Sequence, residues 1–357
     1  MYFHSPLAPG LRCGDAAGAQ AALSVAAASQ ETPIEAPIRQ VIYDLSQRQG
    51  NASCLWEVGP PMTSSHDRQA IADLYERANS SLEPENIYRL GALALLSGIR
   101  SLPSSEAGGF STIEDYLFGC LWQALQHQNP LGEIIKLGEV IRGFGPDHFG
   151  DEETGGWSYA LPLMATQQFK TALSFLADAG GVTGLMQATH LGLTLSLGGV
   201  AVEDAGRDSS SESIVAALLV AYSSKLQAEP SAGVMASLEY LLRIQSKDRV
   251  RKEIASLVVK SQGTETLAGT LSEDGVRQNG ALDKFLPHEE VSLVLAEAAE
   301  TLRKDVHDKS KVEASARLFM MAGRYSSVVM LLNELMAPPD NRDEIRRYVY
   351  ARKVSTL

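Results

Sequence analysis

Cysteine is scarce in this chain: Cys13, Cys54 and Cys120 are three in 357 residues, far apart and odd in number. They offer neither a disulfide framework nor the paired spacing of a zinc site, which fits a reducing compartment. Aromatic residues are also few, at 6%. Sheets recruit Val, Ile, Tyr and Phe; here Ala and Leu dominate, so helix-on-helix packing is favoured. Basic charge is outweighed, with 31 Lys and Arg against 43 Asp and Glu, a net charge of -12. Such a chain is badly suited to gripping a phosphate backbone, and direct nucleic-acid binding is not expected. No apolar run reaches the roughly 18 residues of a membrane span. The first 30 residues are rich in Ala, Gly, Ser and Pro, with Arg12 as their sole Lys or Arg. A secretory leader needs a basic start followed by an apolar block, and that order is absent. Residues 1–37 therefore read as a poorly ordered N-terminal segment.

What the chain does have is apolar residues at helical spacing, within a 45% hydrophobic composition that can bury a large core. Ile38, Val41, Ile42 and Leu45 form one stripe; Ile71, Leu74, Tyr75 and Ala78 form another. Gly59-Pro60-Pro61 breaks the chain between them, and Pro84 suits the first turn of a helix through Leu90, Leu93 and Ala94. Ser111 and Glu114 have capping-box spacing before a helix over 112–127, with Ile113, Tyr116, Leu117, Cys120, Leu121, Ala124 and Leu125 as its apolar face. Asn129-Pro130 ends it. Ile134, Leu137, Val140, Ile141 and Phe144 carry the next helix.

Further stripes run through Ile214, Leu218, Tyr222 and Leu226, then Val234, Leu238, Leu241 and Leu242, then Val250, Ile254, Leu257 and Val258. Pro287 with Glu289 and Glu290 marks the start of a helix bearing Val291, Val294, Leu295, Ala298 and Leu302. Leu191, Leu193, Leu195 and Leu197 alternate with period two, which alone suggests a strand. With no second strong strand to pair with, the stretch is expected to be a buried helix with small residues at close contacts. Loops are expected at 145–157, 203–211 and 272–281.

Residues 157–176 read as a helix end, a tight turn and a second helix packed back, with Leu161, Met164, Phe169, Ala172, Leu173 and Leu176 on the apolar stripe. Met320 to Leu332 align with Met164 to Leu176 without a gap, placing Phe169 on Tyr325, Leu173 on Val329 and Leu176 on Leu332. Phe169 is accordingly expected to be buried. A helical hairpin used twice points to stacked helix pairs, an architecture common in scaffolds. The expected fold is all-α: an α-solenoid of stacked antiparallel helix pairs over 38–337. A short basic C-terminal helix or tail follows at 338–357 (Arg342, Arg346, Arg347, Arg352, Lys353).

Candidate chemistry is thin. His148 with Asp151, Glu152 and Glu153 could suggest a hard cation, but the alternating spacing of a calcium loop is missing, and a solvated acidic loop explains them better. His288-Glu289-Glu290 lacks the second histidine one turn on that a zinc hydrolase needs. His190, on an apolar helix, reads as a core histidine bonded to backbone. Ser101, Ser104, Ser105 and Ser209 to Ser211 lie in polar loops without a Gly-x-Ser-x-Gly elbow. Gly180-Gly181 and Gly198-Gly199 read as helix stops; the Lys-Ser/Thr ending of a phosphate loop is absent. Asp274-Gly275 and Asn279-Gly280 read as turns. No catalytic, cofactor-binding or metal-ligating residue is assigned, and no cofactor is expected.

Five segments, in order, resemble one family, the linker nucleoporins of the nuclear pore's inner ring (the nucleoporin interacting component family). They are Thr112-Ile113-Glu114-Asp115-Tyr116-Leu117, the run from Gly138-Glu139 to His148-Phe149, and Tyr159 to Phe169 with Gln-Phe at its turn. Asp274-Gly275-Val276-Arg277 through Gly280 follows, then Met320 to Leu335. The resemblance covers about residues 110–337. Family members are longer and carry an N-terminal coiled coil that recruits central channel proteins; sustained heptads are missing here, so a partial or divergent member is expected.

The resemblance implies a solenoid partly folded back on itself, as in coat-like scaffolds, and a structural rather than enzymatic role. It implies a nuclear pore complex location, peripheral to the nuclear envelope, in support of nucleocytoplasmic transport of protein and mRNA. Implied partners are large ring scaffold nucleoporins and adaptor nucleoporins bearing short linear motifs, held in grooves between helices. Periodicity alone fits a helical-repeat scaffold of a vesicle coat or proteasome-lid-like assembly equally well, and leaves an all-helical enzyme open; only the turn motifs favour the pore.

Overall fold

The computed structural model describes residues 20–21, 36–49, 65–80, 87–97, 112–150, 156–202, 213–228, 233–260, 264–272, 275–304 and 308–336. Gly59 to Pro61, Pro84, Ser101 to Ser105, Asp151 to Glu153, the loop at 203–211, Asp274, nearly all of 1–37 and the whole of 338–357 lie outside the described residues. The chain divides into two compact units, the first running to Ala172 and the second from Leu173. Described residues 173–202 and 213–336 belong to the second.

The first unit contains α1 (Ala36–Gln49), α2 (Ser65–Ser80), α3 (Ile87–Ser97), α4 (Ile113–Leu125), α5 (Pro130–Phe144), a 3₁₀ turn (Pro146–Phe149), α6 (Trp157–Ala165) and the start of α7 (Phe169–Ala179). From α1 to α6 each helix packs on the next in the chain. The apolar stripes of α1 to α3 do bury: Ile38, Val41, Ile42, Ile71, Tyr75, Leu93 and Leu96 meet in one cluster, joined by Trp122 of α4. The side chain of Leu45 is outside the described residues.

In α4 the sequence expectation is corrected twice. The N-cap is Thr112 rather than Ser111: its hydroxyl accepts from the Asp115 amide at 3.1 Å. The buried face carries Asp115, Gly119, Trp122 and Ala124, while Ile113 and Tyr116 are exposed. The face is rotated because Trp122 reaches the core and its indole donates to the Leu95 carbonyl at 3.0 Å, an acceptor that the Gln126 amide shares at 3.1 Å. A buried indole needs such a partner. Asn129 belongs to the next helix: its side chain accepts from the Gly132 amide at 3.1 Å, with Pro130 in the first turn. On α5 only Gly138 and Ile141 are buried; Val140 and Phe144 are exposed.

The second unit continues with α8 (Gly181–Leu197), α9 (Ile214–Leu226), α10 (Gly233–Leu241), α11 (Lys247–Lys260), α12 (Thr264–Ala268), strands β1 (Thr270–Leu271) and β2 (Arg277–Gln278), a 3₁₀ turn (Ala281–Lys284), α13 (His288–Arg303), α14 (Lys309–Met321) and α15 (Tyr325–Met336). Each long helix packs on the next, α8 to α11, α11 to α13, then α14 and α15. This neighbour-on-neighbour packing is that of an α-solenoid, and the fold is all-α. Within the described residues the two-residue strands form the sole sheet, antiparallel with Thr270 opposite Gln278 and Leu271 opposite Arg277.

Leu191 to Leu197 is helical, since α8 satisfies its own backbone, but it is not buried: Leu197 is 79% exposed and Leu191, Leu193 and Leu195 are half-buried. The small residues do make the close contacts. A Cβ on Gly192 would stand 3.4 Å from Leu173, 3.5 Å from Val215 and 3.7 Å from Leu218. Small hydroxyls also peg helices together: Ser315 donates to the Ala299 carbonyl at 2.8 Å and Ser292 to the Ala322 carbonyl at 2.7 Å.

Candidate functional site

The repeated hairpin is built on one backbone device. At the end of α6, Gln167 is left-handed (φ 62°), and the Gln168 amide donates to the Leu163 carbonyl at 2.8 Å. At the end of α14, Gly323 is left-handed (φ 69°), and the Arg324 amide donates to the Phe319 carbonyl at 2.8 Å. Both are six-to-one Schellman closures, which satisfy orphan carbonyls and turn the chain into the next helix. Burial differs between the two. Leu173 and Leu176 are fully buried, whereas Val329 and Leu332 are 56% and 48% exposed. Phe169 is half-buried and Leu161 exposed, so the expectation of a buried Phe169 is corrected. The buried residue at that first turn is Gln168, at 1% exposure. It lies beneath α5, where a Cβ on Gly138 would come within 2.8 Å of its Cγ. Neither Gln168 amide atom has a hydrogen-bond partner among the described residues.

Arg277 organises the second motif. Its guanidinium grips Asp283 with two bonds, 3.0 and 2.7 Å, and its Nε donates to the Ala268 carbonyl at 2.9 Å. Asp283 also accepts from the Gly280 amide at 2.8 Å. The backbone beneath admits only glycine: a Cβ on Gly269 (φ 84°) would lie 1.9 Å from the Gln278 carbonyl. The motif is a structural clamp. Another ion pair, invisible in the sequence pattern, joins α13 to α15: Arg303 holds Glu334 at 2.7 and 3.3 Å, with Glu334 buried.

The histidines fall apart as a set. His190 is not a core residue bonded to backbone; it is exposed, with Nε2 2.7 Å from the Tyr240 hydroxyl and its ring edge-on to Tyr222. His148 stacks on Phe144 at 4.7 Å. His288 opens α13, where Glu290 pairs with Arg251 at 3.5 Å. Gly181 and Gly199, the second residue of each glycine pair, are left-handed. Among the described residues no group of three His, Cys, Asp or Glu could hold a metal ion. In the same set no helix is long and apolar enough to cross a membrane.

A cleft of about 900 Å³ between α2, α4 and α5 is lined by Arg68, Cys120, Gln123, His127, Lys136 and Val140, among others. Burial pushes the Cys120 thiol up, so it is a weak nucleophile at neutral pH. Lys136 is paired with Glu133 at 2.9 Å. Its lining mixes polar and apolar side chains. Around it α5 presents Leu131, Val140 and Phe144 to solvent.

Residues 84–339 match the profile of the Nup93/Nic96 family, well over half of the chain. The chain belongs to this family. All five motif segments lie inside the matched range, which also reaches back over α3. Among curated relatives, the nuclear pore complex protein Nup93 of Danio rerio is 22% identical over 231 residues, 60% of this chain and 26% of the relative. Nup93 of Xenopus tropicalis is 23% identical over 239 residues, 60% of this chain and 28% of the relative. The chain thus corresponds to about a quarter of the length of these Nup93 relatives.

Proposed function

We propose that this Nup93/Nic96 family chain is a structural component of the nuclear pore complex inner ring. In that place it supports nucleocytoplasmic transport of protein and mRNA without catalysing a reaction. Family membership over residues 84–339 carries the proposal. The stacked helices, with structural clamps where the motifs stand, support it. The chain binds large ring scaffold nucleoporins and the short linear motifs of adaptor nucleoporins. Exposed apolar residues along α5 and α15 offer surfaces on which an amphipathic segment can lay its apolar side chains. It resides at the nuclear envelope as a peripheral subunit.

The test is a tagged copy expressed at native level, gently crosslinked, with co-purifying proteins identified. Inner-ring nucleoporins are the expected result. Recovery of subunits of a vesicle coat or a proteasome-lid-like assembly in their place would overturn the proposal.

A further inference from the structure

The cleft between α2, α4 and α5 continues into a longer groove. Residues 126–129 join α4 to α5, and the two helices pack on one another. On α4 the cleft is lined by Cys120, Gln123 and His127, on α5 by Glu133, Lys136 and Val140. Each set is spaced by three and four residues, so each is one face of its helix. His127 stands 4.0 Å from Glu133, which makes the two faces opposite walls. Both faces run on beyond the cleft. Back along α4 come Tyr116 and Ile113, 54% and 42% exposed. Along α5, Val140 is 53% exposed and Phe144, one turn on, 56%. His148 extends the α5 stripe by stacking on Phe144 at 4.7 Å.

The two ends of the groove differ in chemistry. The outer end presents Ile113, Tyr116, Val140 and Phe144 to solvent, an apolar grouping that a purely solvated surface does not call for. The inner end is lined by the cations Arg68 and Lys136 against the single carboxylate Glu133. That local balance is positive in a chain of net charge -12. The Lys136 side chain bonds Glu133 at 2.9 Å yet is 70% exposed, so its ammonium also faces the groove's solvent. An occupant must therefore bring apolar side chains along one face and negative charge at one end. A helix brings both. Its apolar stripe lies between two packed helices, and its C-terminal end carries the negative pole of the dipole, which carboxylates reinforce. An extended segment finds no strand here to pair with, because α2, α4 and α5 are the walls.

We propose that this groove binds an amphipathic helix of a partner protein, with its apolar face on Tyr116, Val140 and Phe144 and an acidic C-terminal turn at Arg68 and Lys136. The proposal rests on the reading of the chain as a scaffold that holds segments of other proteins, and adds the place, conformation and charge of one such segment.

Fluorescence anisotropy of the full chain with two labelled synthetic helices tests it. Each matches the 15 residues of α5, with leucine on one stripe and alanine and glutamine elsewhere. One ends in glutamates, the other in lysines. The glutamate-ended helix is expected to bind about tenfold more tightly or better. Val140→Asp should weaken that binding by about tenfold or more, since it sets a carboxylate on the apolar wall. Lys136→Glu should reverse the preference between the two helices. Both side chains are exposed, so circular dichroism should show unchanged helix content. If Val140→Asp did lose helix, Phe144→Ser takes its place, with the same loss of binding expected. Equal binding of the two helices would overturn the proposal. So would binding unmoved by these substitutions, or none by either helix at about 100 µM. A doubled mass in light scattering that Val140→Asp abolishes would make a second copy the occupant and overturn it too. The synthetic helices carry no nucleoporin sequence, so the groove and the assembly the chain joins can each fail without the other.

Discussion

Gln167 and Gly323 hold the same left-handed backbone conformation, φ 62° and 69°, at matching points of two helical hairpins. Glycine adopts this region freely, while a side chain there costs about 1–2 kcal/mol. The first hairpin therefore carries strain that the second avoids. Gln167→Gly is expected to stabilise the protein by about 0.5 kcal/mol, the relief of strain being partly offset by the greater freedom of glycine in the unfolded chain. Gly323→Gln is expected to destabilise by about 1 kcal/mol through the same balance reversed. Denaturant titrations of the two variants check the opposite signs, and a loss of stability in Gln167→Gly would remove strain from the account of this turn.

Beside that turn, Gln168 is buried with neither amide atom partnered among the described residues. An unpaired buried polar group costs about 1–3 kcal/mol. Gln168→Met keeps the length of the side chain and removes the polar atoms, so the melting temperature should rise. Gly138→Ala acts on the same contact from the other side. Its Cβ would meet Gln168 Cγ at 2.8 Å, and a loss of about 1–3 kcal/mol is expected from overpacking. The two substitutions should be non-additive, because the flexible thioether that Gln168→Met introduces gives way to the new Cβ more easily than the amide does. Calorimetry of both single variants and the double provides the cycle.

The sequence made the helices legible and left the contacts between them largely hidden. Stripes such as Ile254, Leu257 and Val258, or Val291, Val294, Leu295 and Ala298, name both the helix and its buried face, because one neighbour on each side decides the burial. The rotation of α4 was hidden because Trp122 lies off the stripe of Ile113, Tyr116 and Leu117, and its place depends on an acceptor 27 residues away at Leu95. The two hairpins align without a gap, placing Leu173 on Val329 and Leu176 on Leu332; Leu173 and Leu176 are buried in equal measure. Val329 and Leu332 break that equality, because burial is set by what packs next and not by the hairpin itself. The turn motifs pointed to the family, yet their physical content, a left-handed closure and an arginine clamp, needed coordinates to be seen.

The pair between Arg303 and Glu334 is nearly enclosed, with side chains 14% and 6% exposed. Breaking such a pair leaves a buried charge without its partner, so Arg303→Met alone is expected to cost about 3 kcal/mol. Replacing both, Arg303→Met with Glu334→Leu, removes the charge as well as its counterpart and should recover most of that loss. Urea unfolding of the two single variants and the double gives the coupling. A double variant no more stable than the worse single one would mean that the pair does more than neutralise itself, for instance by fixing how α15 lies on α13.

Arg277 makes a set of contacts that lysine cannot copy. Its planar fork makes two bonds to Asp283 while Nε reaches the Ala268 carbonyl, three donors in fixed geometry on a side chain only 9% exposed. Lysine carries the charge but not the fork, so Arg277→Lys leaves acceptors unserved in a nearly buried place. The expected cost is about 3–6 kcal/mol, two charge-assisted bonds worth about 1.5–3 kcal/mol each being lost while the ammonium keeps the third. The damage should be local. Exchange protection should fall across β1, β2 and residues 281–284, whose register the clamp sets, while α8 and α9 stay protected. If Arg277→Lys left those amides as slow as before, the hairpin would be held by its glycine-dependent backbone fit at Gly269 and Gly280, and the arginine would be a passenger on it.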